Sequence, residues 1–328
     1  MVRRTWIASL LLSLPLACRA GPDTILVVES YNVEMAWDAA YKKALEDTLG
    51  ERYKLEYVQM DTKRLPKSQH PAMADQAWAR YEQLKPALVV LGDDAALKYL
   101  CDRLGATSTP VVYLGINNNP REYFDNQRYR NITGVLERPN MKRNIALARR
   151  LLPNARRALV LFDTDVTSQV VRKETFGSQD SHDLSGIQVD LKLVANWEDW
   201  QHEVLSAREK YDLIFIGLYQ ALHDREGRSV NTRDEVARWT SEHAPVPTFG
   251  FWDWAVGADK TAGGLVLYGY DQGKAAGDIA LRILGGTPPS AIYPVTADRG
   301  RFFFSRKQLQ RWGLKLPDDL AAGALLTD

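Results

Sequence analysis

The residues in this chain best suited to chemistry are aromatic rings set beside acids. Trp252-Asp253-Trp254 joins two large π-faces to a carboxylate. A tryptophan can stack on a ring or a sugar face while Asp253 accepts a hydrogen bond or pairs with an ammonium group. The same three residues equally suit the closing of a core beneath a sheet, and the pattern leaves both roles open. Ser30, Tyr31 and Trp37 mark a second such place, where Trp37 could instead be the first core residue of a helix. Asp93, Asp94, Asn117, Asp163, Tyr219 and Tyr268 add carboxylates, an amide and phenols. An aspartate opening a helix commonly caps free backbone N–H groups, so Asp93 and Asp94 have that role open beside ligand contact. Asn117-Asn118-Asn119 is also a run of turn formers.

Catalytic signatures do not accompany these residues. His70, His182, His202, His223 and His243 form no i, i+4 pair and no grouping with cysteine at metal-ligand spacing. The sequence holds no G-x-S-x-G elbow, no Walker loop and no G-x-G-x-x-G following a strand. A pair of facing acids could hydrolyse a glycoside, but chain spacing cannot set their separation. The expectation is a protein that binds a small polar ligand with a flat or apolar part, without metal, cofactor or catalysis.

The elements that must position these groups alternate between strand and helix. Apolar β-forming runs at 25–28, 54–58, 87–91 and 110–114 are separated by helical periodicity at 37–49, 76–84 and 93–104. The scheme restarts near Arg157, with strands at 157–162, 189–194, 212–217, 246–251 and 264–268. Helices are expected at 141–151, 197–208, 232–241 and 273–284. Repeated βα units imply parallel sheets flanked by helices, and the number of strands implies two similar lobes. In such sheets ligands lie outside the carboxyl ends of the strands, and this rule selects the residues named above.

At 328 residues with 45% hydrophobic and 25% charged content, the chain can form two ordinary cores. Net charge is +1 with no basic stripe, which argues against nucleic acid as a partner. Arg3 and Arg4 precede an apolar run at 6–16, and Ala17, Cys18 and Ala20 supply small residues before Gly21. That order reads as a signal peptide over 1–20 and a periplasmic product. Leu16-Ala17-Cys18 also resembles a lipobox, with Pro15 where leucine is usual, so a lipid anchor on Cys18 is the alternative. Cys101 alone then remains after export by cleavage before Gly21, and no intramolecular disulfide can form.

Several stretches together carry a family resemblance. They are Lys85 through Gly92 leading to Thr109-Pro110-Val111-Val112-Tyr113; Asn131-Ile132-Thr133-Gly134-Val135 followed by Leu152-Pro153-Asn154-Ala155; Ala244-Pro245-Val246-Pro247-Thr248-Phe249-Gly250; and Gly269 through Gly277. The ending, with Phe304-Ser305-Arg306-Lys307-Gln308-Leu309 and Leu316-Pro317, is similar too. In these the chain resembles periplasmic solute-binding proteins of ABC importers with the type I fold, in the tryptophan- and tyrosine-binding subgroup. The resemblance implies an α/β fold of two Rossmann-like lobes joined by a multi-strand hinge. Lobe 1 would comprise 21–133 plus 265–292, and lobe 2 134–264 plus 293–328. It also implies a small-molecule ligand (an amino acid, aromatic in the subgroup, or a sugar or nucleoside) delivered to an ABC permease. Val28-Glu29-Ser30-Tyr31-Asn32 with Trp37 is more similar to the extracytoplasmic sensor domains of histidine kinases and diguanylate cyclases. The alternative partner is therefore a membrane sensor on which a ligand-loaded subunit docks.

Overall fold

The computed structural model describes residues 24–230, 234–297 and 300–328. The segment expected to direct export, with Arg3, Arg4 and Cys18, lies outside the described residues. No helix among the described residues is long and apolar enough to cross a membrane.

β1 (Thr24–Glu29), α1 (Ala36–Leu49), β2 (Lys54–Gln59), α2 (His70–Leu84), β3 (Leu88–Gly92), α3 (Asp93–Gly105), β4 (Val111–Ile116) and β5 (Ile132–Leu136) follow one another in the first half. Next come α4 (Met141–Leu151), β6 (Arg157–Phe162), α5 (Val166–Phe176), β7 (Ser181–Leu184), β8 (Ile187–Leu193), α6 (Trp197–Leu205), α7 (Ala207–Lys210), β9 (Leu213–Ile216), α8 (Glu235–His243) and β10 (Thr248–Gly250). The last part holds β11 (Gly263–Val266), α9 (Gly269–Leu284), β12 (Val295–Thr296), β13 (Arg301–Ser305), α10 (Arg306–Arg311), α11 (Asp318–Ala321) and β14 (Leu325–Thr327).

These strands form two main sheets and a small third one. The first sheet has the order β12-β5-β4-β3-β1-β2 and is parallel throughout. The second runs β10-β9-β6-β8-β7, parallel except for β7. β11, β13 and β14 make the third, with β11 antiparallel to β13. β1, β3 and β4 are buried almost without exception, as expected for strands covered on both faces. The chain passes from the first sheet into the second after β5, returns after β11 to α9 and β12, and leaves again for β13.

Several details depart from the sequence expectation for local reasons. β7 is polar and sits at an edge, so it carries no apolar run; Ser185 and Gly186, at φ +56° and +78°, turn it onto β8 as a two-residue hairpin. α2 begins at His70, with Pro71 in its first turn, six residues before the periodic stretch. The strand expected to reach Tyr268 ends at Val266, and α9 begins at Gly269, four residues before the expected start.

The packing of α9 on α1 shows why small residues recur at the start of α9. Trp37, Tyr41, Ala44, Leu45 and Leu49 form the buried face of α1. Against it lie Gly269, Gly273 and Gly277, one helical turn apart. A Cβ on Gly273 would overlap the backbone of Tyr41, whereas one on Gly277 would meet the Thr48 side chain at 2.9 Å. Gly273→Ala should therefore destabilise the protein by about 1–3 kcal/mol, outweighing the ~1 kcal/mol gained in helix propensity. Gly277→Ala should cost less, because its added Cβ would meet Thr48 at 2.9 Å rather than the Tyr41 carbonyl oxygen at 2.2 Å, a much smaller overlap. Urea denaturation of the two variants measures the difference.

Candidate functional site

β1 and β3 end side by side, with Glu29 opposite Gly92, and this register sets out the first wall of a cavity. Ser30 locks the two ends together: its hydroxyl donates to Gly92 O at 2.5 Å and accepts from Ala96 N at 2.8 Å. The cap on α3 is thus Ser30, from another strand, and neither aspartate caps it. Asp94 instead accepts from Asn117 N at 3.0 Å, Asn118 N at 3.1 Å and the Tyr123 hydroxyl at 3.0 Å, fixing the turn after β4.

That arrangement frees Asp93 to face a cavity of about 720 Å³ between the two main sheets. Asp93 adopts φ +68°, and its Oδ2 is buried without a hydrogen-bond partner. Burial pushes its carboxyl well above the usual range, reinforced by Asp38, Glu137 and Asp94. Asn117 donates through Nδ2 to Gly115 O at 3.3 Å, leaving Oδ1 buried and unpartnered at the cavity. Glu137, the first residue after β5, accepts a hydrogen bond from Trp252 Nε1 at 2.5 Å. Burial raises the Glu137 carboxyl to about 8 against the opposing effect of that bond.

The opposite wall is aromatic. Trp252 stacks on Trp254 at 5.8 Å between centroids, and Trp254 meets Tyr219 edge-on at 5.2 Å. Trp252 and Trp254 line the cavity, as do Leu218 and Gln220. Besides the Glu137–Trp252 bond, contacts between the sides include Lys63, which pairs with Asp165 at 2.5 Å, and the Tyr31 hydroxyl, which lies 3.5 Å from Thr167 Oγ1. Lys63 Nζ also sits over the Tyr31 ring at 5.0 Å. Burial alone would lower the Lys63 ammonium, but Asp165 and Asp163 hold it above its ordinary value. Asp165 is correspondingly lowered by Lys63 despite its own burial.

Among the residues singled out from sequence, Tyr31, Trp37, Asp93, Asn117 and Trp252 come together at the cavity. Ser30, Asp94, Asp163, Tyr219, Asp253 and Tyr268 do not line it. Ser30 and Asp94 are occupied as described above. Asp163 holds the start of α5, accepting from Ser168 Oγ at 2.5 Å and from Ala221 N at 3.0 Å. Tyr219 lies fully buried between Trp200 and Trp254. Asp253 accepts from Trp254 N at 2.9 Å, and burial raises its carboxyl to about 6. Tyr268 packs on Phe303 beneath Arg301.

Lys63, Glu137 and Thr167 line the cavity and were not singled out. The strand-end rule reaches Glu137 once β5 is counted as a strand. Lys63 stands four residues beyond β2, where no spacing rule points. No histidine or cysteine lines the cavity, and among the described residues no group of acids, histidines or cysteines has metal-ligand geometry.

An acid whose folded-state pKa is raised stabilises the protein below its unfolded pKa and loses that contribution as pH rises through the folded one. Glu137 therefore makes folding less favourable between about pH 5 and pH 8. Glu137→Gln, which keeps an acceptor for Trp252 Nε1, should flatten the fall in melting temperature over that window. Thermal unfolding at either end of the window checks the sign.

Known proteins agree with this architecture. Residues 105–327 match the family described as ABC transporter substrate binding protein. The ABC domain from Streptococcus pneumonia in complex with L-Trp has 18% identity and a TM-score of 0.70, over 94% of this chain and 100% of that one. A conserved domain protein from Vibrio cholerae has 18% identity and a TM-score of 0.65 over the same shares. AraP, an arabinose binding protein from Geobacillus stearothermophilus, has 17% identity and a TM-score of 0.55, over 85% of this chain and 95% of that one. No curated protein matches the chain. The fold is the type I periplasmic-binding-protein fold, and the chain belongs to the ABC transporter substrate binding protein family.

Proposed function

We propose that this protein captures a small solute in the cavity between its two main sheets, outside the cytoplasmic membrane, and presents it to the permease of an ABC importer. The observation that carries this reading is the cavity's composition. Polar groups at the carboxyl edge of the first sheet (Asp93, Asn117 and Glu137) and the rings of Trp252 and Trp254 line one cavity of about 720 Å³. Such a space suits one molecule with a flat part and a few hydrogen-bonding groups. Related folds are known with L-Trp bound and as an arabinose binding protein, which supports solute capture as the role of this cavity.

The three passages of chain between the sheets form the hinge in this reading. Closure brings the Lys63–Asp165 pair together, and the solute shifts the equilibrium by binding best when both walls reach it. The lobes are then the first sheet with α9, and the second sheet with its helices.

A thermal-shift panel of amino acids, amines, sugars and nucleosides tests the reading. A solute at about 100 times its dissociation constant should add roughly 2.7 kcal/mol of stability. No response to any class would overturn solute capture. Lys63→Met should favour the open form by leaving Asp165 without its counter-charge, weakening solute binding. Small-angle scattering of the solute-free variant should show a larger radius of gyration, and an unchanged radius would remove the latch role.

A further inference from the structure

The solute-binding reading leaves the charge of the solute open, and the state of the cavity's ionic groups bears on it. This inference rests on that reading. Among the described residues the lining contains five acids and two bases, and both bases are committed. Lys63 is 2.5 Å from Asp165, and Arg64 is 2.9 Å from Asp61 and 3.0 Å from Glu34. Of the acids, Glu34 is paired in this way and Asp234 lies 2.6 Å from Lys260. Asp93 and Glu137 differ, since neither forms an ion pair with a described residue.

Hydrogen bonding points the same way. Asp93 Oδ2 and Asn117 Oδ1 are buried acceptors without donors, and Asn117 is oriented by its own donation to Gly115 O. Glu137 has one oxygen on Trp252 Nε1. The floor of the cavity therefore offers acceptors and negative charge. Buried acceptors left unmatched are costly, so a solute that brings N–H donors and positive charge gains most here. An anionic group would meet Asp93 and Glu137 on this side, while Lys63 and Arg64, the cations of the lining, are already held by Asp165, Asp61 and Glu34.

We propose that the solute is an organic ammonium carrying a flat ring, with its charge held by Asp93 and Glu137, and that a carboxylate on the solute weakens binding. The rings of Trp252 and Trp254 cover its flat part. Proton release should accompany binding. Asp93 faces Asp38, Asp94, Glu137, Tyr31, Tyr41 and Lys63, while Glu137 faces Asp94, Asn117, Arg138 and Trp252. The acids in this cluster hold protons more tightly than free carboxyls, so an arriving cation displaces them. Affinity therefore rises with pH.

Titration calorimetry with tryptamine, tryptophan and indole-3-propionate keeps one ring and varies only its charged groups. Tryptamine should bind at least about tenfold more tightly than tryptophan. Its affinity should rise between about pH 6 and pH 8 with proton release visible in buffers of different ionisation heat, and indole-3-propionate should not bind. Equal or tighter binding of tryptophan, or any binding of the acid, overturns the charge assignment while leaving solute capture intact. Silence from all three overturns the ring-bearing ammonium itself, and the broad panel then decides solute capture separately. Asp93→Asn should lose about tenfold in tryptamine affinity without a lower melting temperature, because asparagine tolerates positive φ and removes a buried acid. An Asp93→Asn protein that binds tryptamine as the parent does overturns the role of Asp93.

Discussion

Keeping a carboxyl group buried beside other carboxyls is unfavourable, and much of the packing at the carboxyl edge of the first sheet accommodates it at Asp93. Two glycines leave space here, Gly115 for the Asp93 side chain and Gly92 for the Tyr41 ring. A Cβ at Gly115, itself at φ +71°, would stand 3.0 Å from Asp93 Oδ1, and a Cβ at Gly92 would stand 2.7 Å from the Tyr41 hydroxyl. Tyr41 lies on α1, which α9 holds in place through its glycine face. Gln272 on α9 completes the support, accepting from Gly115 N at 3.1 Å and donating to Leu136 O at 3.4 Å. The close α1–α9 contact and the placement of the Asp93 carboxyl are thus one constraint.

The two sides of the cavity solve different problems. On the first, short polar side chains are tied to strand ends, so their positions follow from the register of β1, β3 and β4. On the second, large rings pack on one another from Phe162 through Trp252 and Trp254 to Tyr219 and Trp200. Such a stack is held by contact area and can present one face to a solute without losing its own support. Glu137 joins the two, since it continues β5 of the first sheet and accepts from the indole of Trp252.

Much of the architecture was legible in the sequence because parallel strands covered on both faces are near-continuous apolar runs, as in 88–91 and 157–162. Short edge strands escaped the pattern: β7 is polar, and β12 has only two residues. The strand-end rule brought Tyr31, Asp93, Asn117 and Trp252 to the cavity, but it could not tell a free side chain from an occupied one. Ser30, Asp94 and Asp163 follow strands as faithfully, yet each is held by backbone N–H groups, several of them far away in the chain. Asp163 is bound to Ala221, 58 residues on, a pairing that no local spacing encodes. Lys63 is recognised as part of the cavity only when Asp165 arrives from α5.

The adjacent pair Asp93 and Asp94 shows how function is separated from structure at neighbouring positions. Asp94 meets two backbone N–H groups and a phenol, which oppose the burial that raises its carboxyl and occupy it whatever else is bound. Asp93 meets none of these and keeps an unpartnered oxygen toward the cavity. What distinguishes them is the backbone: Asp93 adopts φ +68°, and Ser30, directly after β1, accepts from Ala96 N in the first turn of the helix. A cap donated from another strand therefore does more than finish a helix. It releases the first residue of that helix from local duty, and a residue so released, buried and still charged when deprotonated, is stabilised best by a partner that the chain itself does not provide.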